Sequence, residues 1–152
     1  MPDDFEIRKT EDGHVIVILH PACTISKNAI LALLAELGID EMAVVFLLPE
    51  DVVNRVNIAD LPVVIPIDEA VCDAKELDAA GRQCGQAGGC VIILLGKGFP
   101  YKGLHPIAEK YGTQCGWFAD KLGDCLKSPC SAPPSGSDGT EIPRPKHEPV
   151  KC

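Results

Sequence analysis

Unbroken apolar blocks recur along this chain, and they alternate with stretches whose apolar residues fall at helical spacing. Residues 14–20 (HVIVILH), 42–48 (MAVVFLL), 61–67 (LPVVIPI) and 90–95 (CVIILL) are short and rich in β-branched side chains, which predicts strands. Strands that are apolar on both faces belong to a largely parallel sheet covered by helices on each side. Pro62 and Pro66 cannot donate to a ladder, so the third strand is expected to be an edge strand or irregular. Residues 5–9 alternate at period two and 10–13 supply a turn, so 5–20 reads as a hairpin.

Between the strands, Ile30, Leu33, Leu34 and Leu37 share one face of a helix over 26–37. Ala29, Leu31, Ala32 and Ala35 make its other faces apolar too, so it is expected to be well buried, with Gly38 as its C-terminal cap. Further helices are predicted over 51–58, over 74–83, from Pro106 onward and over 117–126, with a loop at 96–103. From 128 to 152 the chain turns to Pro, Ser, Gly and charge. Such a segment has too little apolar surface to offset its ordering entropy. One α/β domain over 1–127 and a mobile tail over 128–152 are therefore expected. Strand order is not readable from the pattern.

At 152 residues, 46% hydrophobic and 24% charged, the chain has the size and composition for a single packed core. No apolar run approaches the roughly 18–20 residues that a membrane span needs. The acidic opening lacks the positive start of a secretory signal, so a cytoplasmic location is expected. A net charge of −8, with 14 basic against 22 acidic residues, provides no basic stripe for nucleic acid or anionic lipid. Small molecules or proteins are the expected partners. Eight cysteines are many, but with strong apolar strands to build a core, most read as reduced thiols.

The stretch 20–28 (HPACTISKN) joins a strong strand directly to a strong helix. A cysteine there lies beside helix N-terminal amides, which favour thiolate over thiol. Ser26 can donate to the sulfur, and Lys27 adds a positive charge. Pro21-Ala22-Cys23-x-x-Ser26-Lys27-Asn28 resembles the active-site turn of the glutaredoxin-coupled arsenate reductases. Cys23-Thr24-Ile25-Ser26 is similar to the monothiol form of the Cys-x-x-Cys redox motif. Leu61-Pro62-Val63-Val64 resembles the thioredoxin-fold strand whose cis-proline faces the active cysteine, and the run on to Cys72 and Glu76 is similar to the reductases' later segment.

The resemblance spans about residues 14–80. It implies a thioredoxin-like core, with a C-terminal βα elaboration after it, and a thiol-dependent oxidoreductase. In that reading Cys23 is the nucleophile, Ser26 and Lys27 stabilise its thiolate, and Pro62 and Asn28 border the substrate groove. Cys72 or Cys152 would resolve a mixed disulfide, and a low-molecular-weight thiol would be the co-substrate. The substrate would be a thiol or disulfide, on a small molecule or a protein. Lys27 stands where the reductases usually carry arginine, and Leu61 and Asp73 stand where arginines hold the oxyanion. Arsenate itself is therefore not the expected substrate.

The residues leave a second architecture and a second function open. Residues 90–126 can be an integral βα unit of a four-stranded doubly wound, flavodoxin-like parallel sheet, and the chain can be a non-catalytic interaction or regulatory module with Cys23 merely packed. Other patterns reach less far. The later cysteines lack the Cys-x2-Cys pair of a structural zinc site, so no metal is expected. Cys115, with Phe118 and Leu122, is similar to the helix-opening nucleophile of papain-like hydrolases of the NlpC type, which His14, His20 or His105 would have to activate. Packing explains that spacing equally well. The glycines over 85–89 precede a strand rather than follow one, so no nucleotide cofactor is expected.

Overall fold

The computed structural model describes residues 15–50, 62–86, 90–97, 99, 104–128 and 132–136. The predicted helix over 51–58, the first strand of the predicted hairpin and residues 137–152 lie outside them. Five strands form one sheet: β1 (Val15–Ile18), β2 (Val44–Leu47), β3 (Val63–Ile67), β4 (Val91–Leu95) and β5 (Gly112–Cys115). Their order is β2-β1-β3-β4-β5, and every neighbouring pair is parallel. The α/β class predicted by the apolar strands is thus what the chain adopts. Of the two expected architectures, this strand order is that of the doubly wound sheet, with chain direction across the sheet reversing between β1 and β3.

Helices cover both faces, as strands buried on two sides require. Helix α1 (Lys27–Ala35) and helix α4 (Ala119–Lys127) pack on the face formed by Val15, Val17, Val64, Ile92 and Leu94. Helix α2 (Lys75–Gln86) and helix α3 (Pro106–Tyr111) cover the opposite face, against Ile16, Ile65, Ile67, Ile93 and Leu95. The even and odd residues of each strand therefore feed separate cores, the period-two consequence of the pleat. Helix α1 starts at its Ser26 cap and ends where Gly38 takes φ +80° and the Ile39 amide donates to the Leu34 carbonyl at 3.1 Å. It buries Ile30, Leu33 and Leu34, but Ala29, Ala32 and Ala35 face solvent. It is an outer-layer helix, not the all-round buried one its composition suggested.

Three further expectations are corrected. Strand β1 has parallel neighbours on both edges, so it is no arm of a hairpin. The proline-bearing β3 lies in the middle of the sheet, not at its edge. Its geometry explains how. The Pro62 carbonyl accepts from the Ile16 amide at 3.0 Å and so faces β1; alternation along the strand turns Pro66 the same way. Register with β1 runs only through Ile16–Val63 and Val17–Val64, so the missing N–H of Pro66 falls just past that ladder. The third correction concerns β5, which no apolar run announces. Its Gly112 begins the strand so close to β4 that a Cβ there would sit 1.8 Å from the Val91 carbonyl oxygen.

The outer edge of β5 is covered by residues 132–136. The Ser135 amide donates to the Gln114 carbonyl at 2.8 Å, the Gln114 side-chain amide donates to the Ser135 carbonyl at 3.1 Å, and the Thr113 hydroxyl donates to the Ala132 carbonyl at 2.8 Å. Ala132 and Ser135 are buried. This part of the expected mobile tail is therefore a strap belonging to the domain. Among the described residues, no helix is long and apolar enough to cross a membrane.

Candidate functional site

In open parallel sheets, ligands bind beyond the carboxyl ends of the strands, where the connections diverge at the switch point. Here that is the gap between the β1–α1 loop and the β3–α2 loop. Asp68 directly follows β3 and spans it. Its Oδ2 accepts from the Thr24 amide at 2.8 Å and from the Thr24 hydroxyl, and its Oδ1 accepts from the Ala70 amide at 3.0 Å. Burial alone pushes the Asp68 carboxyl up. The hydroxyl and amide of Thr24 and the amides of Ala70 and Val71 outweigh it and hold the carboxylate below its ordinary range. The charge is a staple that fixes one loop to the other.

Beside this staple lies a cleft of about 490 Å³, lined by Thr24, Ile25, Asp68, Gly96, Lys97 and Phe99 among others. Glu69 and Lys97 are exposed at its border. Gly96 keeps its wall thin: a Cβ there would come within 3.1 Å of Ile25 Cδ1. Neither Thr24 nor Asp68 was singled out from the sequence. The available signal was a lone carboxylate placed directly after a fully apolar strand.

Cys23 lies on the other side of the same β1–α1 loop. It is half-buried and lines a cleft of about 250 Å³ with His20, Pro21, Lys27, Phe46 and Leu48. Burial pushes its thiol up to about 11; the Ile25 amide opposes the rise, and the charge of Asp68 adds to it. The expected thiolate is therefore not what these surroundings favour. The assisting groups are also engaged elsewhere. The Ser26 hydroxyl accepts from the Ala29 amide at 3.1 Å as the N-cap of α1, and the Lys27 ammonium sits 5.3 Å from the centre of the Phe46 ring. Asn28 is exposed in the first turn of α1.

Pro62 does not join this group. It precedes the amino end of β3, level with the start of β1, whereas Cys23 follows the carboxyl end of β1. The two lie at opposite ends of the sheet, so Pro62 shapes no groove for Cys23. Cys72 is buried and disulfide-bonded, and Cys90 is disulfide-bonded too, so Cys72 carries no thiol to resolve a mixed disulfide in this state. Cys152 lies outside the described residues. Cys23, Cys84, Cys115 and Cys125 are reduced, so most of the described cysteines are thiols.

The hydrolase-like reading of Cys115 also changes. Cys115 ends β5 rather than opening a helix, it is fully buried, and its thiol hydrogen-bonds that of Cys125. His105 is committed elsewhere: its Nδ1 accepts from the Ile107 amide at 3.1 Å, and its Nε2 donates to the Cys72 carbonyl at 2.8 Å. His20 accepts from the Ala22 amide and reaches the Glu76 carboxylate at 3.2 Å. His14 lies outside the described residues. Among the described residues, no three His, Cys, Asp or Glu side chains come together as a metal site. Comparison with family models, with curated proteins and with solved structures finds no match for this chain.

Proposed function

We propose that this chain is a non-catalytic binding or regulatory module on a doubly wound sheet, taking a small polar ligand in the cleft at the β1/β3 switch point. The observation that carries this reading is the Asp68 staple, which ties together the two loops that bound the cleft. A preformed cleft of about 490 Å³ is within the usual range for small-molecule sites. Lys97 and Glu69 offer charges of both signs at its border, and Phe99 offers an apolar ring. The net charge of −8 favours a small ligand over nucleic acid.

Amide-shift NMR of the whole chain, titrated separately with adenosine monophosphate, citrate and spermidine, tests the proposal. One of these classes is expected to shift the amides of Thr24, Ala70 and Gly96 saturably. The proposal fails if none does.

One observation supports a second reading, the thiol-dependent oxidoreductase: Cys23 opens into its own cleft beside His20 and Lys27. A low-molecular-weight thiol would then be the co-substrate. Glutathione-dependent reduction of hydroxyethyl disulfide, abolished by Cys23→Ser, would establish that reading in place of the first.

A further inference from the structure

Cys115 closes β5, and Cys125 lies in α4, which packs over that strand. Both side chains are buried in the same core layer, at 0% and 2% exposure, and both are reduced. Their thiols hydrogen-bond each other. The same chain holds Cys72 and Cys90 in disulfides, so it contains an oxidised class of cysteine and a reduced, paired class. The surroundings of the reduced pair couple it to a surface cleft. The Ala132 amide donates to the Ser128 carbonyl at 2.8 Å just after α4, and the strap is tied to Thr113 and Gln114, the residues preceding Cys115. Between α4 and the strap lies a cleft of about 360 Å³, bordered by Lys121, Asp124, Lys127, Ala132 and Pro133.

We propose that Cys115 and Cys125 are a reversible dithiol–disulfide site, oxidised by exchange with a low-molecular-weight disulfide, and that its closure draws α4 onto β5 and reshapes the cleft beneath the strap. One thiol first loses its proton to solvent, and its thiolate attacks one sulfur of the small disulfide. A mixed disulfide forms, and one small thiolate leaves and takes up a proton. The second cysteine, likewise deprotonated, attacks the protein sulfur of the mixed disulfide and expels the second small thiol. Two protein thiols are oxidised to one disulfide, and one small disulfide is reduced to two thiols.

Ring closure sets the sulfurs at about 2.05 Å, and in this proposal α4 moves toward the strand to reach that bond length. Because both sulfurs are buried, exchange proceeds through transient opening of α4. Its rate therefore levels off as the small disulfide is raised.

The test uses the full chain in a series of reduced and oxidised glutathione mixtures at neutral pH. Samples are quenched in acid, alkylated in denaturant and mapped by mass spectrometry. A peptide cross-linked through Cys115 and Cys125 is expected, reversed by dithiothreitol, with a rate that saturates in oxidised glutathione. Hydrogen exchange of α4 amides should slow at least tenfold in the oxidised form. The proposal is overturned if both cysteines stay alkylatable as thiols across the whole series. It is equally overturned if Cys115 is found linked to a different cysteine, or if only glutathione adducts accumulate without ring closure. The primary readout is made on the unaltered chain, so it does not depend on whether a core variant folds.

Discussion

Thr24 gives both its amide and its hydroxyl to a single oxygen of Asp68, across the point where the chain changes direction in the sheet. One carboxylate thereby holds the two loops that bound the cleft. Hydrogen bonds to a charged group contribute about 1.5–3 kcal/mol each, so this contact ranks among the stronger local terms of the fold.

Thr24→Val keeps the amide contact and removes the hydroxyl. It is expected to lower stability by about 1.5–3 kcal/mol in urea unfolding. Asp68 is held below its ordinary range, so its contribution is present above the unfolded carboxyl pKa of about 3.9 and is lost as pH falls through the folded value. The variant should therefore show a shallower loss of stability in acid than the parent. An unchanged acid limb would mean that the staple is weaker than its geometry indicates.

Cys23 is expected to alkylate slowly at neutral pH, with a midpoint near 11 in a pH series followed by mass spectrometry on the native chain. A midpoint below the ordinary thiol value of about 8.5 would restore the thiolate, and with it the oxidoreductase.

Burial keeps His105 neutral, opposed by the Cys72 carbonyl and the charges of Asp73 and Asp78. Its folded pKa is below that of an unfolded histidine, so the unfolded chain takes up a proton first. Stability should fall as pH drops below about 6.5, by up to about 1.4 kcal/mol per pH unit until the folded value is reached. His105→Gln should flatten that slope when unfolding free energies are compared between pH 7 and pH 5.

Gly112→Ala places a methyl group on the Val91 carbonyl, where only backbone is available to give way. A loss of about 3 kcal/mol or more is expected in chemical unfolding, beyond ordinary core overpacking. A near-neutral result would show that β4 and β5 separate easily.

Four of the five strands were legible because residues such as Val15, Phe46, Ile65 and Ile93 sit in unbroken apolar runs. The fifth was not, because Thr113 and Gln114 are polar residues made buriable by partners far along the chain, Ala132 and Ser135. No local periodicity carries that information. The central place of β3 was hidden for a related reason: whether Pro66 is tolerated depends on where the neighbouring β1 ladder stops. At the candidate site the motif around Cys23 was visible, but its acidity was not. That depends on burial and on Asp68, 45 positions away in the numbering. Asp68 itself looked like an ordinary polar residue after a strand until the Thr24 contact gave it a role.

The bond between Ser135 and Gln114 also bears on how the chain is made. Synthesis runs from the amino end, so β1 to β4 and their helices emerge while the outer edge of β5 is still bare. That edge is closed only when residues 132–136 follow. A nascent chain, or an expression product cut after residue 127, leaves Gln114 to find other partners, and an uncovered parallel edge is an invitation to strand-to-strand association. Drawing the end of the fold at or beyond residue 136 keeps this segment in the role of a clasp on the outer edge of β5.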